Sequence, residues 1–328
     1  MELFDSLREK AKKRMKRIVF PEGESPVIIE AAVRLQQEGI CTPVLVGCPE
    51  TIHKKAQGLG LAPDGLSLAD PCEEEKLGEY AALYSQAGGL PERICRKIVG
   101  QPLYFGAMMV RTGGAHGMVA GIDCPTGDVI LASELMIGLQ DGISVSSSFY
   151  LMDIPGFQGP EGSFLVFADP AVNPNPSPAQ LADIAVSTTL SAREVLGWTP
   201  RAAMLSFSTK GSGEHPDADK VREALRLALD KAPGLFIDGE LQADAALLRA
   251  VAEKKACGGG PVAGQANILV FPDLDAANIA SKLVQILANA TACGPILQGF
   301  ACPVSDLSRS ASVREVMDTT LFVAARDS

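Results

Sequence analysis

A short polar stretch near the end of the chain, PVSDLSRSASVREV (303–316), carries the side chains best suited to chemistry. It places Ser308, Arg309 and Glu315 close together in a region whose neighbours are mostly apolar. A guanidinium fork suits phosphate oxygens, a hydroxyl can donate to developing negative charge, and a carboxylate can accept a proton. Ser312 and Glu315 also match S-x-x-E, the capping box of a final helix. The stretch therefore predicts an anion-handling site, a helix start, or both.

Composition favours an α/β protein and argues against several partner classes. The 328 residues are 47% hydrophobic but only 5% aromatic, which indicates an aliphatic core in one large or two medium domains. The net charge of −10 and the short basic cluster at 8–17, interpreted as a solvated helix face, argue against nucleic acid. No apolar run reaches the ~18 residues of a membrane span, and the N-terminus does not resemble a signal peptide. We expect a cytoplasmic protein without membrane partners.

The cysteines are scattered without a C-x-x-C pair, which argues against a disulfide framework or a zinc site. We expect them to be reduced, mostly buried thiols, and we expect no bound metal. They are Cys41, Cys48, Cys72, Cys95, Cys124, Cys257, Cys293 and Cys302.

Short β-rich runs alternate with helical stretches along the chain. Strands are predicted at 17–23, 42–47, 117–121, 144–152, 162–169, 202–209, 235–240 and 267–272, and the clearest helices at 25–39 and 177–197. This alternation predicts an α/β fold with mostly parallel sheets covered on both faces. Ligands of such sheets bind where strands end and helices begin, so the polar loops after these strands are the candidate binding loops.

Those loops resemble the phosphate acetyltransferases (phosphotransacetylases) of the phosphate acetyl/butyryltransferase family over nearly the whole chain. The similarity lies in FADPAVNPNPSPAQLADIA (167–185), AMLSFSTKGSGEHPDADKVREA (203–224), DGELQADAAL (238–247), VAGQANILVFPDLDAANIASKL (262–283) and GPILQGFACPVSDLSRS (294–310). It implies two three-layer α/β domains of the isocitrate/isopropylmalate dehydrogenase-like kind. The first would comprise 1–145 with 294–328, the second would be inserted as 146–293, and the active-site cleft would lie between them.

The resemblance also implies a reaction: acetyl-CoA and phosphate are converted reversibly to CoA and acetyl phosphate, by direct attack of the CoA thiolate on the acyl phosphate. CoA and acetyl-CoA would be substrates, no cofactor would be permanently bound, and homodimers would be usual. In the family's DLSRG segment the serine stabilises the transition state and the arginine binds acyl phosphate, which correspond to Ser308 and Arg309. Glu315 corresponds to the thiol base, with helix capping as the alternative role. Further substrate contacts are expected from Thr126, Asn173, Asn175, Ser208, Thr209, Lys210, Gly211 and Ser212.

Several polar residues are expected to have structural roles instead. We interpret His116 and His215 as hydrogen-bonded, non-catalytic histidines. Asp238 and Glu240 follow a predicted strand and are expected to make structural hydrogen bonds. The STKGSG segment (208–213) could be an ordinary turn, although the resemblance favours backbone amides that face phosphate.

Three arginines that the family associates mainly with CoA are missing, since this chain has Val27, Tyr84 and Leu131 there. Lys210 or Arg111 could substitute, the thiol could lack the 3′-phosphate, or activity could be weakened. The leading hypothesis is therefore a phosphate acetyltransferase. The alternatives are a weakened or non-catalytic paralogue, or an acyltransferase for another acyl chain, such as butyryl or propionyl, or another thiol. A dehydrogenase sharing the fold is disfavoured, because no paired-aspartate metal site or cationic cluster is apparent.

Overall fold

The computed structural model describes residues 2–62, 65–255 and 260–326, so Cys257 lies outside the described residues. The helices are α1 (Glu2–Arg14), α2 (Pro26–Gln37), α3 (Pro49–Gly58), α4 (Glu74–Gly88), α5 (Glu92–Val99), α6 (Pro102–Arg111), α7 (Thr126–Met136), α8 (Pro178–Ser191), α9 (Pro216–Lys231), α10 (Ala243–Leu247), α11 (Arg249–Lys254), α12 (Leu274–Leu287) and α13 (Val313–Ala325). The strands are β1 (Arg17–Phe20), β2 (Thr42–Val46), β3 (Ser67–Ala69), β4 (Gly117–Ala120), β5 (Ser147–Asp153), β6 (Phe164–Ala168), β7 (Ala202–Leu205), β8 (Ile237–Leu241), β9 (Ile268–Val270), β10 (Thr291–Gln298) and β11 (Val304–Asp306).

The first compact unit consists of Met1–Gln140 and Phe300–Ser328. Its sheet has the order β11-β4-β1-β2-β3, and every strand pair in it is parallel. One group of helices, α1, α2 and α13, packs together, and a second group is formed by α4 to α7. The order places the carboxyl ends of β11, β4 and β1 side by side.

The second unit, Asp141–Gly299, contains a sheet of order β10-β5-β6-β9-β7-β8. Strands β6, β9, β7 and β8 are parallel, whereas β5 and β10 run antiparallel to their neighbours. The expected predominance of parallel pairing is thus confirmed, but not for these two strands. The connection from β5 to β6 contains no helix that would return the chain to the starting edge of the sheet, so an antiparallel pair results.

The unit boundaries differ from the predicted ones. A boundary at 293/294 would cut β10, whose pairing with β5 continues to Gln298, so the second unit extends to Gly299. At its other end this unit begins at Asp141, five residues before the predicted start at 146. The strand predicted at 144–152 begins three residues later in the structure, since β5 starts at Ser147.

Helix ends follow the local sequence signals. Ser177 caps α8 in a reciprocal capping box with Gln180, as expected for a serine that precedes a helical run. A π-helical turn, Ala192–Leu196, then follows α8, and Gly197 at φ 72° ends it in the left-handed region that glycine adopts without a steric penalty.

Candidate active site

The loop after β11 presents the predicted anion-binding pair. Ser308 and Arg309 are both exposed. The Ser308 hydroxyl lies 3.0 Å from the hydroxyl of Ser310, and the Ala311 amide donates to the Ser308 carbonyl at 2.9 Å, which closes a turn. Arg309 makes no hydrogen bond or ion pair with any residue the structure describes. Its guanidinium is therefore available to an anion and, among those residues, is not held in an ordinary ion pair within the loop.

Glu315 caps α13. The amide and hydroxyl of Ser312 each donate to Glu315 Oε2 at 2.8 Å, and the Glu315 amide donates back to Ser312 Oγ at 3.3 Å. This reciprocal arrangement is the capping box that the sequence predicts. The carboxylate is exposed and already accepts two hydrogen bonds. The proposed role as a thiol base therefore has to compete with an occupied structural role.

A buried carboxyl group lies beside this loop, and sequence reasoning missed it. Asp306, the last residue of β11, is only 3% exposed. Its Oδ2 accepts a hydrogen bond from the hydroxyl of Thr126, whereas its Oδ1 is buried and has no hydrogen-bond partner among the described residues. Burial raises the pKa of Asp306 to about 6; the Thr126 hydrogen bond opposes this rise and the charge of Glu22 adds to it. An under-satisfied carboxyl group at a strand end is a functional candidate.

Glu22, which follows β1, organises the loop after β4. Its carboxylate accepts hydrogen bonds from the amides of Gly121, Ile122 and Asp123 at 2.9–3.2 Å, and from the Cys124 thiol at 3.1 Å. Burial, and then the negative charge of Glu22, raise the pKa of Cys124 well above its usual range. Cys124 is therefore a protonated hydrogen-bond donor at neutral pH and not a nucleophile.

Gly121 allows β4 and β11 to approach closely at this edge. Its φ is +114°, and a β-carbon there would lie 2.2 Å from Asp306 Oδ1 and 2.7 Å from the Leu307 carbonyl oxygen. Only glycine fits a backbone position with this conformation and these neighbours. The loop from 121 to 126 is thus held against Asp306 on one side and Glu22 on the other.

The STKGSG loop of the second unit is organised by Glu240. This buried carboxylate accepts hydrogen bonds from the Ser208 hydroxyl at 2.8 Å, the Gly211 amide at 2.8 Å and Arg222 at 3.0 Å. Burial acts to raise the Glu240 pKa, but these hydrogen bonds outweigh it, and the pKa lies below its usual range. Asp238 pairs with Lys210, so both acids have the structural roles that the sequence predicts.

The amides of this loop are already hydrogen-bonded within the unit. The amides of residues 208, 209 and 210 donate to Ser206 Oγ, Ser212 Oγ and the Glu240 carbonyl, respectively. Those of residues 211, 212 and 213 donate to Glu240 Oε1, the Thr209 carbonyl and Ser208 Oγ, respectively. The predicted amide cradle for phosphate is therefore not the arrangement in the structure, because the turn satisfies its own donors. Ser208 and Thr209 are buried, whereas Lys210, Gly211 and Ser212 are exposed.

The NPNP loop is held in a similar way. Asp169 directly follows β6, and its carboxylate accepts hydrogen bonds from both the main-chain nitrogen and the side-chain nitrogen of Asn173. The side-chain nitrogen of Asn173 also donates to the Ser146 carbonyl. Asn175 accepts from Lys220 at 3.0 Å. His215 and His116 accept backbone amide protons from Asp217 and Arg17, which agrees with their predicted structural roles. Asn173 thus has a loop-fixing role that the sequence pattern did not show.

The missing arginines leave apolar groups in their place. Leu131, on α7, is 48% exposed, and Tyr84, on α4, is 8% exposed within the apolar core. Of the suggested substitutes, Lys210 pairs with Asp238 and the Gly239 carbonyl, and Arg111 donates to the Met136 carbonyl at 3.0 Å. Both cations therefore already have partners within their own units.

The described residues 2–62, 65–255 and 260–326 contain neither a membrane-spanning helix nor a cluster of metal ligands. No helix in that part of the chain is long and apolar enough to cross a membrane. Nor does that part contain a group of three or more His, Cys, Asp or Glu side chains placed to hold a metal ion.

The described residues thus combine two mostly parallel sheets with an exposed serine–arginine pair, Ser308 and Arg309, on the loop after β11. The sequence profile of the phosphate acetyl/butaryl transferase family matches residues 2–324, and the chain belongs to this family. A phosphate acetyltransferase from Thermoanaerobacterium thermosaccharolyticum is 43% identical over 329 residues, which cover 99% of each chain. A phosphotransacetylase from Streptococcus pyogenes is 38% identical and superposes with a TM-score of 0.92, covering 99% of this chain and 97% of the other.

A more distant likeness concerns the fold alone. A 4-hydroxythreonine-4-phosphate dehydrogenase from Burkholderia phymatum has a TM-score of 0.54 at 12% identity, covering 95% of this chain and 97% of the other. The expected dehydrogenase-like α/β architecture is therefore confirmed.

Proposed function

We propose that this protein is an enzyme that transfers an acetyl group reversibly between CoA and phosphate. Family membership over nearly the whole chain supports this reaction. The structural observation that carries the proposal is Arg309, an exposed arginine without a partner among the described residues, next to the Ser308 hydroxyl at the carboxyl end of β11. Its fork would hold the phosphate oxygens of acetyl phosphate, and Ser308 would donate to the charge that develops as the thiolate attacks.

The chemical step needs no reactant beyond the two substrates, apart from a group that accepts the thiol proton. The CoA sulfur forms a bond to the acetyl carbonyl carbon, the bond from that carbon to the bridging phosphate oxygen breaks, and phosphate leaves with the electron pair. The identity of the group that accepts the thiol proton is a separate question, because Glu315 is already hydrogen-bonded in the capping box.

The other predicted contacts have different degrees of support. Thr126 is partly exposed at the start of α7, and Lys210, Gly211, Ser212 and Asn175 are exposed, so burial does not keep any of them from a substrate. Ser208, Thr209 and Asn173 would act indirectly, since they are hydrogen-bonded inside their loops. We propose that these three shape the loops that contact substrate.

Arg309→Ala tests the proposal, with Arg314→Ala as the matched control. Arg314 lies in the same segment, is exposed, and among the described residues forms an ion pair only with Asp318, on its own helix, at 3.6 Å. We expect Arg309→Ala to raise the KM for acetyl phosphate and to lower kcat, with an unchanged melting temperature. Equal kinetics for the two variants would remove Arg309 from the site.

A second candidate, an acyltransferase for a different thiol or acyl chain, is favoured by the apolar Leu131 where the family has arginine. Parallel assays with butyryl phosphate and with 3′-dephospho-CoA separate it from the first. A kcat/KM for acetyl phosphate and CoA that is well below the kcat/KM measured with butyryl phosphate or with 3′-dephospho-CoA would favour this second candidate.

We further propose a cytoplasmic homodimer without a permanently bound cofactor. The described cysteines are free thiols, which suits a reducing compartment. On α12, Ile279, Leu283, Ile286 and Leu287 are 50–78% exposed at the spacing of one helix face, and such a stripe suits burial against a second subunit. Light scattering of the purified protein tests this, since a monomeric mass would contradict it.

A further inference from the structure

The second unit contains a cavity, of about 200 Å³, that the proposed reaction does not use. It is lined by Thr189 and Arg193 at the end of α8 and in the π-helical turn, by residues 198–200 before β7, and by residues 234–236 before β8. Because β7 and β8 are parallel, this amino-end cavity lies at the edge of the sheet opposite the STKGSG loop. The four residues of β7, at about 3.3 Å each, separate the two by ~13 Å.

A single charged side chain lines the described part of the amino-end cavity, and it is a cation. Arg193 is exposed and makes no hydrogen bond or ion pair with any residue that the structure describes. The other lining residues are Thr, Trp, Pro, Gly, Leu and Phe, so no acid in the lining opposes the positive charge. A guanidinium fork matches the two oxygens of a carboxylate. The lining therefore suits an anion.

Two further donors lie next to Arg193 in the lining. Trp198 is only 9% exposed, and its indole N–H has no acceptor among the described residues, although the nitrogen is not sealed from solvent. A tryptophan that is this buried usually has a partner for its N–H. Thr199 is exposed; its carbonyl accepts a hydrogen bond from Asn267, but its hydroxyl bonds to no described residue. The cavity thus offers three side-chain donors to a ligand.

The π-helical turn explains why these side chains line one cavity. The Trp198 amide donates to the Ala192 carbonyl at 3.4 Å, and Gly197, at φ 72°, turns the chain back directly after the helix. Residues 193 and 198 are thereby brought to the same cavity. Single π-helical turns are rare and occur frequently at functional sites.

Size and apolar lining limit the ligand. Trp198, Pro200, Leu235 and Phe236 supply apolar surface. Sites for drug-sized ligands have volumes of roughly 300–1,000 Å³, whereas an apolar cavity of about 150 Å³ holds benzene. A cavity of this size therefore fits one ring with a short acidic arm. A single cation suits a single negative charge, which argues against nucleotides and phosphate esters.

We propose that the amino-end cavity binds a small aromatic monocarboxylate. Its carboxylate pairs with Arg193 and accepts from the Trp198 indole and the Thr199 hydroxyl, and its ring packs against Trp198 and Phe236. This site goes beyond the proposed function and does not depend on it, because none of the residues assigned to acetyl transfer lines the cavity.

The test uses Trp198 as its reporter, because it is the only tryptophan of the chain. The full chain is titrated with benzoate, phenylacetate and 3-phenylpropanoate at constant ionic strength. We expect a saturable change in tryptophan fluorescence with a dissociation constant of a few millimolar or below for at least one of them, and heat of binding by calorimetry. Acetate, which lacks the ring, and 2-phenylethanol, the neutral analogue of phenylacetate, should bind at least ~10-fold more weakly.

Three variants locate the site. Arg193→Gln should weaken binding at least ~10-fold with an unchanged melting temperature. Gly234→Leu should also weaken it by filling space, because a β-carbon at this lining glycine would have no contacting atom within 4 Å. Arg226→Gln is the matched control: Arg226 is an exposed arginine of the same unit that pairs with Glu223 and Asp230, and its variant should bind like wild type.

The outcomes separate this site from the proposed function. No saturable binding of any of the three carboxylates, by fluorescence and by calorimetry, would overturn the site. So would equal affinity for phenylacetate and 2-phenylethanol, or wild-type affinity in both Arg193→Gln and Gly234→Leu. A wild type that binds through Arg193 but forms no acetyl-CoA would support the site and overturn the proposed function alone.

Discussion

Replacing Asp306 with asparagine should make the protein more stable at neutral pH. The pKa of this carboxyl rises from an ordinary value near 4 to about 6 on folding, because the group is buried. A group that binds its proton more tightly in the folded state destabilises that state once the pH exceeds both pKa values. About two pH units at 1.36 kcal/mol each give a penalty of ~3 kcal/mol above pH 6, and less than ~0.5 kcal/mol near pH 4.

Asparagine removes this penalty and keeps a side-chain oxygen that can accept the Thr126 hydrogen bond. We expect Asp306→Asn to raise the free energy of unfolding by about 1–3 kcal/mol at pH 7.5 and by less than ~0.5 kcal/mol at pH 4. Urea unfolding at the two pH values measures the difference. Asp123→Asn, an exposed aspartate in the neighbouring loop, should show no such pH-dependent gain. A gain of equal size at both pH values, or a loss at pH 7.5, would refute the reasoning.

Three further predictions concern neighbouring residues. Glu315→Ala should lower stability by ~1 kcal/mol through loss of the capping box with Ser312, and Glu315→Gln should not, as thermal unfolding would show. Leu131→Arg should raise the kcat/KM for CoA relative to that for 3′-dephospho-CoA. In wild type the two kcat/KM values should differ by less than about threefold. A strong preference of wild type for CoA would contradict this expectation. Gly121→Ala should lower both stability and activity, because its methyl group would collide with Asp306, and unchanged urea unfolding would show that the loop can move aside.

The elements that the sequence predicts well are those whose signals are local. Ser177 and Ser312 precede helices with a glutamine or glutamate three residues on, and both form the expected capping boxes. Buried strands such as β2 and β6 are continuous apolar runs, which is how strands covered on both faces appear in a sequence. Local patterning therefore suffices for most elements and for the fold class.

What the sequence did not predict depends on contacts between distant segments. Strand β11 is three residues long, and polar Ser305 and Asp306 occupy two of them, so only its pairing with β4 defines it as a strand. The hydrogen bond from Thr126 joins residues 180 positions apart, and the role of Glu22 likewise appears only when the loop after β4 folds over it. The Ser308–Arg309 loop could be identified from its residue types, but the buried acid behind it could not.

The central claim is tested most directly by incubating the purified protein with acetyl phosphate and CoA and quantifying acetyl-CoA and phosphate together. The account predicts equal amounts of both products, reversal when phosphate is added to acetyl-CoA, and severe loss of both directions in Arg309→Ala but not in Arg314→Ala. Absence of acetyl-CoA from folded wild type, or phosphate release without acetyl-CoA, would contradict it.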